Sequence, residues 1–544
     1  MEKGMSVIGI DLGTSYSCVG AVVDGQVRLF PTEKGNNLLP SIVAFDQDRC
    51  LVGEAAKSKL TENPENVIYD IARIIGRSRA DKYLTLDEKK WPFSISEHQG
   101  RVGVNVTYKN QPTTFTAEEI LAILLIHLKQ MAQTTLRKPV SEAVICIPAH
   151  FNNQQRLATT SAARIAGLKV TQLISAPAAA AVAYRREMNI FKEQKLLVLV
   201  MGGGTCDVSV ITAKDDIIQV DATAGDCHLG GTDFDANLAD HLVNQFRTKH
   251  GKDFSTNHIA MQRLRLACET AKRTLSVSAR AHVSIPDIHE NLRLSARLTR
   301  TEFESINADI FNKILNLVEL VVEDAMITKN SIDDIVLVGG SSWIPKLQEV
   351  LTTFFDGKPL NRILSPQEAV CTGVAIYANH SKQQNGTSSS ENSMNVTNHM
   401  LTEVSPFSLG IEVKGGRMNY IIRRNTPIPI RDFKRYTTTV DEQDSLSIVI
   451  FEGENTSVVK NTCLGKFLLT GFSAAPAGVP NIKVVFDVDA NGILNVKAYD
   501  ETARQNVPLP ITCDSTHLTA ADIVQLAKQM ERLWEENGSQ LENH

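Results

Sequence analysis

The chain has 544 residues, 43% hydrophobic and 22% charged, with a formal net charge of −5. That length argues for two or more domains with ample core, and the charge gives no electrostatic reason to expect nucleic acid or an anionic membrane as partner. The longest apolar runs, such as Leu196–Met201, are far too short to span a bilayer.

The N-terminal MEKGMSVIGID enters strand pattern within a few residues and shows no signal or transit segment, and the C-terminal QLENH matches no retention or lipidation signal. Nine cysteines without CxxC or CxxH spacing read as reduced thiols of the cytosol or nucleus. Without secretion, the sequons at Asn105 and Asn385 carry no meaning.

Residues 1–378 alternate strand-like and helix-like stretches, as α/β architecture does. Val7–Asp11 and Cys18–Val23 flank a turn, Ile120–Met131 has helical apolar spacing, and Ala143–Ile147 is a short buried strand. A small-residue helix follows Pro177, and the strand Ile335–Val338 ends in Gly339 and Gly340. Residues 379–404 form a polar linker, whose segment NHSKQQNGTSSSENSMNVTNH holds almost no core-forming residue.

Residues 405–512 are strand-rich: Leu446, Ile448 and Ile450 alternate with Ser447, Val449 and Phe451. Asn491-Gly492 between two alternating strands is a strong hairpin signal, so this is a separate antiparallel β domain. In residues 513–544, Leu518–Glu536 reads as a helix capped by Thr519 with Asp522, with Ile523, Leu526, Ala527, Met530, Leu533 and Trp534 in one stripe. Gly538 is expected to end it. One amphipathic helix alone is marginal in water, so it is expected to pack on the β domain.

Two stretches share one plan. VIGIDLGTSYSCVGAVV (Val7–Val23) and LLVLVMGGGTCDVSVI (residues 196–211) both run strand, glycine–threonine turn, strand. Such turns bring backbone N–H groups close to an anion. Two copies predict two similar subdomains, each offering a phosphate hairpin to one cleft, with no GxxxxGK[ST] lysine anywhere in the chain. In the first copy the strand ends in Asp11, placed to order water on a phosphate-bound Mg²⁺. In the second, Val200 stands where that carboxylate stands.

The order and spacing of IGIDLGTSYSCVG, AVICIPAHFNNQQR, APAAAAVAY, MGGGTCDVS, GDCHLGGTDFD, ACETAKRTLS, IVLVGGSSWIPK, SPFSLGIE, CLGKFLLTG and FDVDANGILNVKA resemble the seventy-kilodalton heat-shock chaperone family over nearly the whole chain. The resemblance implies an α/β actin-like ATPase domain, a linker, an antiparallel β-sandwich peptide-binding domain and a helical lid, here shortened to one helix. ATP or ADP with Mg²⁺ would be the ligands, and unfolded or extended polypeptides the clients, in the cytoplasm or nucleus.

The resemblance also implies roles at matching positions. Asp11, Gly13, Thr14, Ser15 and Tyr16 belong to the first phosphate hairpin, and Gly202, Gly203, Gly204 and Thr205 to the second, with Asp207 near the catalytic water and Gly230 beside it. Glu269, Lys272, Arg273 and Ser276 match one wall of the adenosine pocket, and Gly339, Gly340 and Ser341 the other; from spacing alone, Glu269 and Arg273 fit a surface ion pair equally. Leu409, Ile411, Tyr436, Leu446, Ile448 and Ile482 match the groove around an extended peptide, with Lys414 and Thr439 arching over it. An apolar sandwich core alone also accounts for such strand residues.

The departures gather on the chemistry. The family pattern has a lysine at Ala72, a glutamate at Ala176, an aspartate at Val200, a threonine near Leu38 and an adenine-stacking arginine at Trp343. Of the three carboxylates that order the magnesium water shell, Asp11 alone stays, so Asp11, Thr205 and Asp207 are retained but insufficient: nucleotide binding survives, Mg²⁺ binding weakens and hydrolysis is impaired. Gln172 replaces an arginine that receives J-domain co-chaperones, and NHMLTE (Asn398–Glu403) has few apolar anchors. The resemblance implies J-domain co-chaperones and nucleotide exchange factors as partners, with coupling to J-domain proteins in doubt. The short lid is expected to release peptide quickly. The competing readings are a pseudo-ATPase holder or regulator of chaperone partners and, less well supported because of the β domain, a small-molecule kinase on an actin-like fold.

Overall fold

The computed structural model describes residues 6–189, 192–385, 401–472, 474–501, 507–508, 511–513 and 518–541. Two sheets built on one plan organise the chain as far as Asn385. The first runs Lys169–Ser175, Val140–Ile147, Ser6–Asp11, Tyr16–Val23, Gln26–Leu29; the second begins Leu360–Asn361, Asp334–Val338, Gln194–Met201, Cys206–Lys214, Ile217–Asp226. In each, three parallel strands are followed by two antiparallel ones. The repeat of strand, glycine turn and strand is thus a repeat of whole subdomains.

The central strands carry nearly unbroken apolar runs because both of their faces are covered. Leu196, Leu197, Val198 and Leu199 are fully buried. Alternate residues go to different cores: Leu197 and Leu199 join the core of the second lobe, whereas Val198 and Val200 join a shared core with Ala179 and Val374. The helices Ala176–Met188 and Ala369–Asn385 cross in that shared core, so closely that a Cβ on Gly373 would overlap the Ala179 carbonyl. Small residues at the crossing allow the two sheets to meet at a cleft.

The helix Ala369–Asn385 runs past residue 378, so the predicted linker begins inside a helix. Residues 386–400 of that linker lie outside the described residues. Its end, Leu401–Val404, is a strand of the second sheet lying between Ile217–Asp226 and Pro427–Ile428; Leu401 pairs with Ile218 and Thr402 with Gln219. Leu401 and Val404 are buried, and the Glu403 carboxylate accepts from Ser175 N at 2.8 Å and Ser175 Oγ at 3.0 Å. Few apolar anchors therefore suffice to seat it, because backbone pairing and one carboxylate add to them.

The following domain is an antiparallel sandwich. One sheet has the order Arg417–Ile422, Leu409–Val413, Ser445–Glu452, Thr462–Thr470, Ile511–Cys513; the other Ile430–Tyr436, Ile482–Val488, Leu494–Asp500, Val507–Pro508. Asn491 and Gly492 form the expected turn between Ile482–Val488 and Leu494–Asp500, with Gly492 at φ +73°.

The last helix, Ala520–Leu541, is capped as expected: Asp522 N donates to Thr519 Oγ1, and Thr519 N to Asp522 Oδ2. It continues through Gly538 to Leu541. Its packing corrects the expectation. Met530 and Leu533 enter the core of the first lobe rather than the β domain, Trp534 meets His127 edge-on, and Asn537 clasps the backbone of Cys50 through both N–H and C=O. The apolar stripe was legible; the surface it covers was not, since the sandwich and the first lobe both offer apolar faces.

Candidate functional site

The two glycine hairpins face each other across a cavity of about 470 Å³, within the usual range for a small-molecule site. Glycine backbone of the second turn packs on the side chains of Thr14 and Ser15 in the first. A Cβ on Gly204 would come within 2.6 Å of Thr14 Cγ2, and one on Gly230 within 2.6 Å of Gly203. Gly339, at φ +89°, packs where a Cβ would collide with Met201 O. Glycine is needed at these positions because a side chain would collide with the Thr14 side chain at Gly204 and with main chain at Gly230 and Gly339. Thr14, Ser15, Gly202, Gly203 and Thr205 line the cavity together, so the structure joins the two repeated hairpins in one site.

Of the predicted residues, Asp11, Gly13, Tyr16, Asp207, Glu269, Lys272, Arg273, Ser276, Gly340, Ser341 and Trp343 also line it. Glu269 and Arg273 make an i, i+4 ion pair at 2.6 Å, and Arg273 lies 3.5 Å from Tyr16 Oη. The two readings of that pair thus coincide: it is an ion pair that walls the cavity. Lys272 is committed to Asp235 at 2.6 Å and to Gly231 O at 2.7 Å, and burial with that lysine alongside leaves the Asp235 carboxyl raised to about 6. Ser341 Oγ donates to Gly202 O at 2.8 Å and ties the second wall to the hairpin. Trp343 is 49% exposed, its ring free for a planar ligand. Gly230 and Gly204 support the cradle from behind and are not among its lining residues.

The floor of the cavity is where carboxylates should converge. Asp207 is fully buried and Asp11 half-buried, and burial pushes each carboxyl up to about 7. Asp207 accepts a backbone hydrogen bond from His150 N at 3.3 Å. Val200 sits directly opposite Asp207 in the ladder, and Ala176 lies on the same cavity wall. Leu38 lines the cavity too. Ala72 instead packs on the core of the first lobe.

Four further lining residues had no sequence signal strong enough to single them out. Lys57 donates to Tyr16 Oη at 2.9 Å. Arg73, 3% exposed, donates to Gly204 O at 3.0 Å and to Asp233 Oδ2 at 2.6 Å. Lys90 places its Nζ 3.8 Å from Asp87 and 3.9 Å from Asp233. Asp233 thus brings two cations to the second hairpin, and they come from segments remote from both glycine motifs. Thr232 Oγ1 is buried with no partner; its place in GDCHLGGTDFD was the one available clue.

These observations test a nucleotide with its cation. A cradle of backbone amides, unpaired hydroxyl capacity at Thr232, two cations and an exposed indole fit a polyphosphate nucleoside. A cation held through phosphate oxygens and water needs few protein ligands, and Asp11 fits that role; among the described residues no cluster of three His, Cys, Asp or Glu forms a metal cage.

The second predicted site lies in the sandwich. Leu409, Ile411, Ile448 and Ile482 are buried in its core, with Tyr436 and Leu446 partly buried against it. Lys414 and Thr439 are exposed. The six residues predicted for a groove fall in one cluster, with Tyr436 and Leu446 half-buried at its edge.

A family model described as "Hsp70 protein" matches residues 7–544. The chain is 42% identical over 542 residues to heat shock cognate 70 kDa protein 3 of Dictyostelium discoideum, covering 99% of this chain and 85% of that protein. It is 42% identical to heat shock 70 kDa protein 2 of Paracoccidioides lutzii, over 96% of this chain and 79% of the relative. The heat shock 70 kDa protein of Neurospora crassa is also 42% identical, over 97% and 81%.

Proposed function

The chain belongs to the Hsp70 protein family of chaperones, and from that premise we propose a member that binds nucleotide and extended polypeptide while hydrolysing ATP slowly or not at all. The observation that carries the proposal is the floor of the cavity, where Val200 and Ala176 stand beside Asp207 and Asp11.

When bound, ATP with Mg²⁺ supplies the transferable phosphoryl group and its bridging cation. The hairpin amides and Thr14 and Thr205 hold phosphate oxygens, Trp343 stacks on the base, and Glu269, Arg273 and Ser276 wall the nucleoside. Asp207 would take the proton of an attacking water, and Asp11 would hold the cation through its water. A valine and an alanine can neither hold water nor balance charge, so two preorganised stabilisers are missing. Each such group is commonly worth about 10²–10³ in rate, though such losses do not add. Lys90, held by Asp87 and Asp233, supplies part of the positive charge lost at Ala72.

The linker strand on the second sheet, the His150–Phe407 contact at 4.2 Å and the Arg424–Asp324 ion pair at 2.6 Å support a docked arrangement of the two domains. Docking without efficient hydrolysis favours a peptide holder over a cycling folding machine. Gln172 accepts from Tyr377 Oη at 2.7 Å, an occupied neutral group where J-domain recognition calls for a cation, so response to J-domain co-chaperones is weak. No helix among the described residues is long and apolar enough to cross a membrane, and we assign the protein to the cytosol.

Calorimetry with ATP and ADP, with and without Mg²⁺, followed by phosphate release, tests the reading. Micromolar binding with negligible turnover is expected. Turnover at an ordinary chaperone rate would overturn the catalytic half, and absence of heat with either nucleotide would overturn the binding half.

A further inference from the structure

A second cavity, of about 320 Å³, shares no lining residue with the nucleotide site. Three separate parts of the chain wall it: Arg77, Arg101 and Gln154 of the first lobe, Cys463 and Lys466 on a strand of the sandwich, and Leu518 at the start of the last helix. It exists only while those parts are docked.

Its polar inventory is unbalanced. The Arg77 side chain is 8% exposed; Nη1 is paired with Asp81 at 2.7 Å, and Nε is buried with no partner. Arg101 donates from Nη2 to Gln99 Oε1 at 3.1 Å, but its Nε and Nη1 are both buried and unpaired. Three guanidinium nitrogens are therefore orphaned at one cavity, and a buried donor without an acceptor is costly. Lys466 adds a third cation from the facing wall.

The acids nearby do not answer them. Asp81 is committed to Arg77. Glu118 lines the cavity without a hydrogen bond to either guanidinium, and burial raises its carboxyl against the opposing pull of Arg101. Asp522, close to Arg101, has its Oδ2 committed to Thr519 N and Oγ1. Among the described residues no oxygen accepts from these three nitrogens, while guanidinium forks match the oxygens of a tetrahedral anion.

We propose that this junction binds a small phosphate-bearing anion, held by Arg77 and Arg101 from the lobe and Lys466 from the sandwich. Because the ligand touches both domains, its binding stabilises the docked arrangement by linkage. The proposal rests on the docked domains and not on nucleotide chemistry.

Cys463 supplies the readout, since it lines the cavity and is the exposed thiol among the eight described free cysteines. The full chain is saturated with ADP, so that the nucleotide site is filled, and alkylated with iodoacetamide while pyrophosphate is titrated; modification of Cys463 is followed by peptide mass spectrometry. At about ten times Kd the free site falls to about one eleventh, so alkylation slows about tenfold. Orthophosphate is expected to protect at higher concentration, and chloride at equal ionic strength not at all. Arg101→Gln and Lys466→Gln each abolish protection, and Arg101→Lys restores part of it. Among the described residues Arg101 donates one side-chain hydrogen bond, to Gln99, so its replacement leaves folding intact; the exposed Lys466 provides a second variant in any case. Protection by chloride equal to that by pyrophosphate, no protection by any anion, or full protection in both glutamine variants would overturn the proposal. Loss of ADP binding alone would leave it standing and strike only the nucleotide reading.

Discussion

Val200 lies directly across the antiparallel ladder from Asp207, and both residues line the nucleotide cavity. Directly opposed residues present their side chains on the same face, so the missing carboxylate belongs beside the retained one. Val200→Asp combined with Ala176→Glu is expected to raise single-turnover phosphate release by at least about 10²-fold. Magnesium dependence should sharpen in parallel. No gain in the double variant, with nucleotide affinity intact, would mean that the cleft is misaligned for reasons other than these two side chains.

Lys90 Nζ lies within 3.9 Å of Asp233, whose other oxygen accepts from Arg73 and Gly230 N. If Lys90 serves the outermost phosphate, Lys90→Ala should weaken ATP about tenfold, the ~1.5 kcal/mol of one hydrogen bond to a charged group, and leave ADP nearly unchanged. Competitive titration of both nucleotides decides it. Equal weakening of the two would assign Lys90 to holding Asp233 alone.

The helix Ala520–Leu541 should be clamped to the first lobe through Met530, Leu533 and Asn537. Met530→Ala removes a buried side chain that is 3% exposed, a change that costs about 2–5 kcal/mol in a packed core. Limited proteolysis is expected to cut the helix in Met530→Ala well before the lobes, and Asn537→Ala to show a weaker effect of the same kind. Unchanged protection of the helix in both would contradict this docking.

His150 ties domain docking to pH. Its ring packs on Phe407, its Nδ1 is buried without a partner, and burial lowers its pKa from 6.5 to about 4. The docked state thus favours the neutral ring, so this contribution is complete above pH 6.5 and is lost as pH falls toward 4, at about 1.4 kcal/mol per unit. Glu452, at the same interface, works the other way, because burial raises its carboxyl to about 7 and its contribution is lost as pH rises through that value. Comparing the wild type with His150→Tyr isolates the histidine: docking, read by energy transfer between domains, should be more acid-sensitive in the wild type. Identical pH profiles would remove His150 as a titrating contact.

Much of this was legible in the residues. The duplicated strand–glycine–strand plan is local, and its backbone demands leave a mark that survives without any knowledge of the fold. The absent carboxylate at Val200 showed up because the chain carries its own reference at Asp11. Capping at Thr519, the turn at Asn491-Gly492 and the apolar stripe of the last helix follow likewise from neighbours in sequence.

Tertiary structure decided whatever depends on which surfaces meet. The stripe of the last helix covers the first lobe because that lobe presents Cys50 and a complementary apolar face; nothing in Met530 or Leu533 names the partner. The linker strand is seated by Ile218 and Ser175, far away in the chain. Lys90 and Arg73 reach the second glycine hairpin and its Asp233 from a separate segment, and Lys466 joins Arg77 and Arg101 only after the domains close. Hydrophobic periodicity specifies that a face will be buried, whereas shape, charge and main-chain pairing select what buries it.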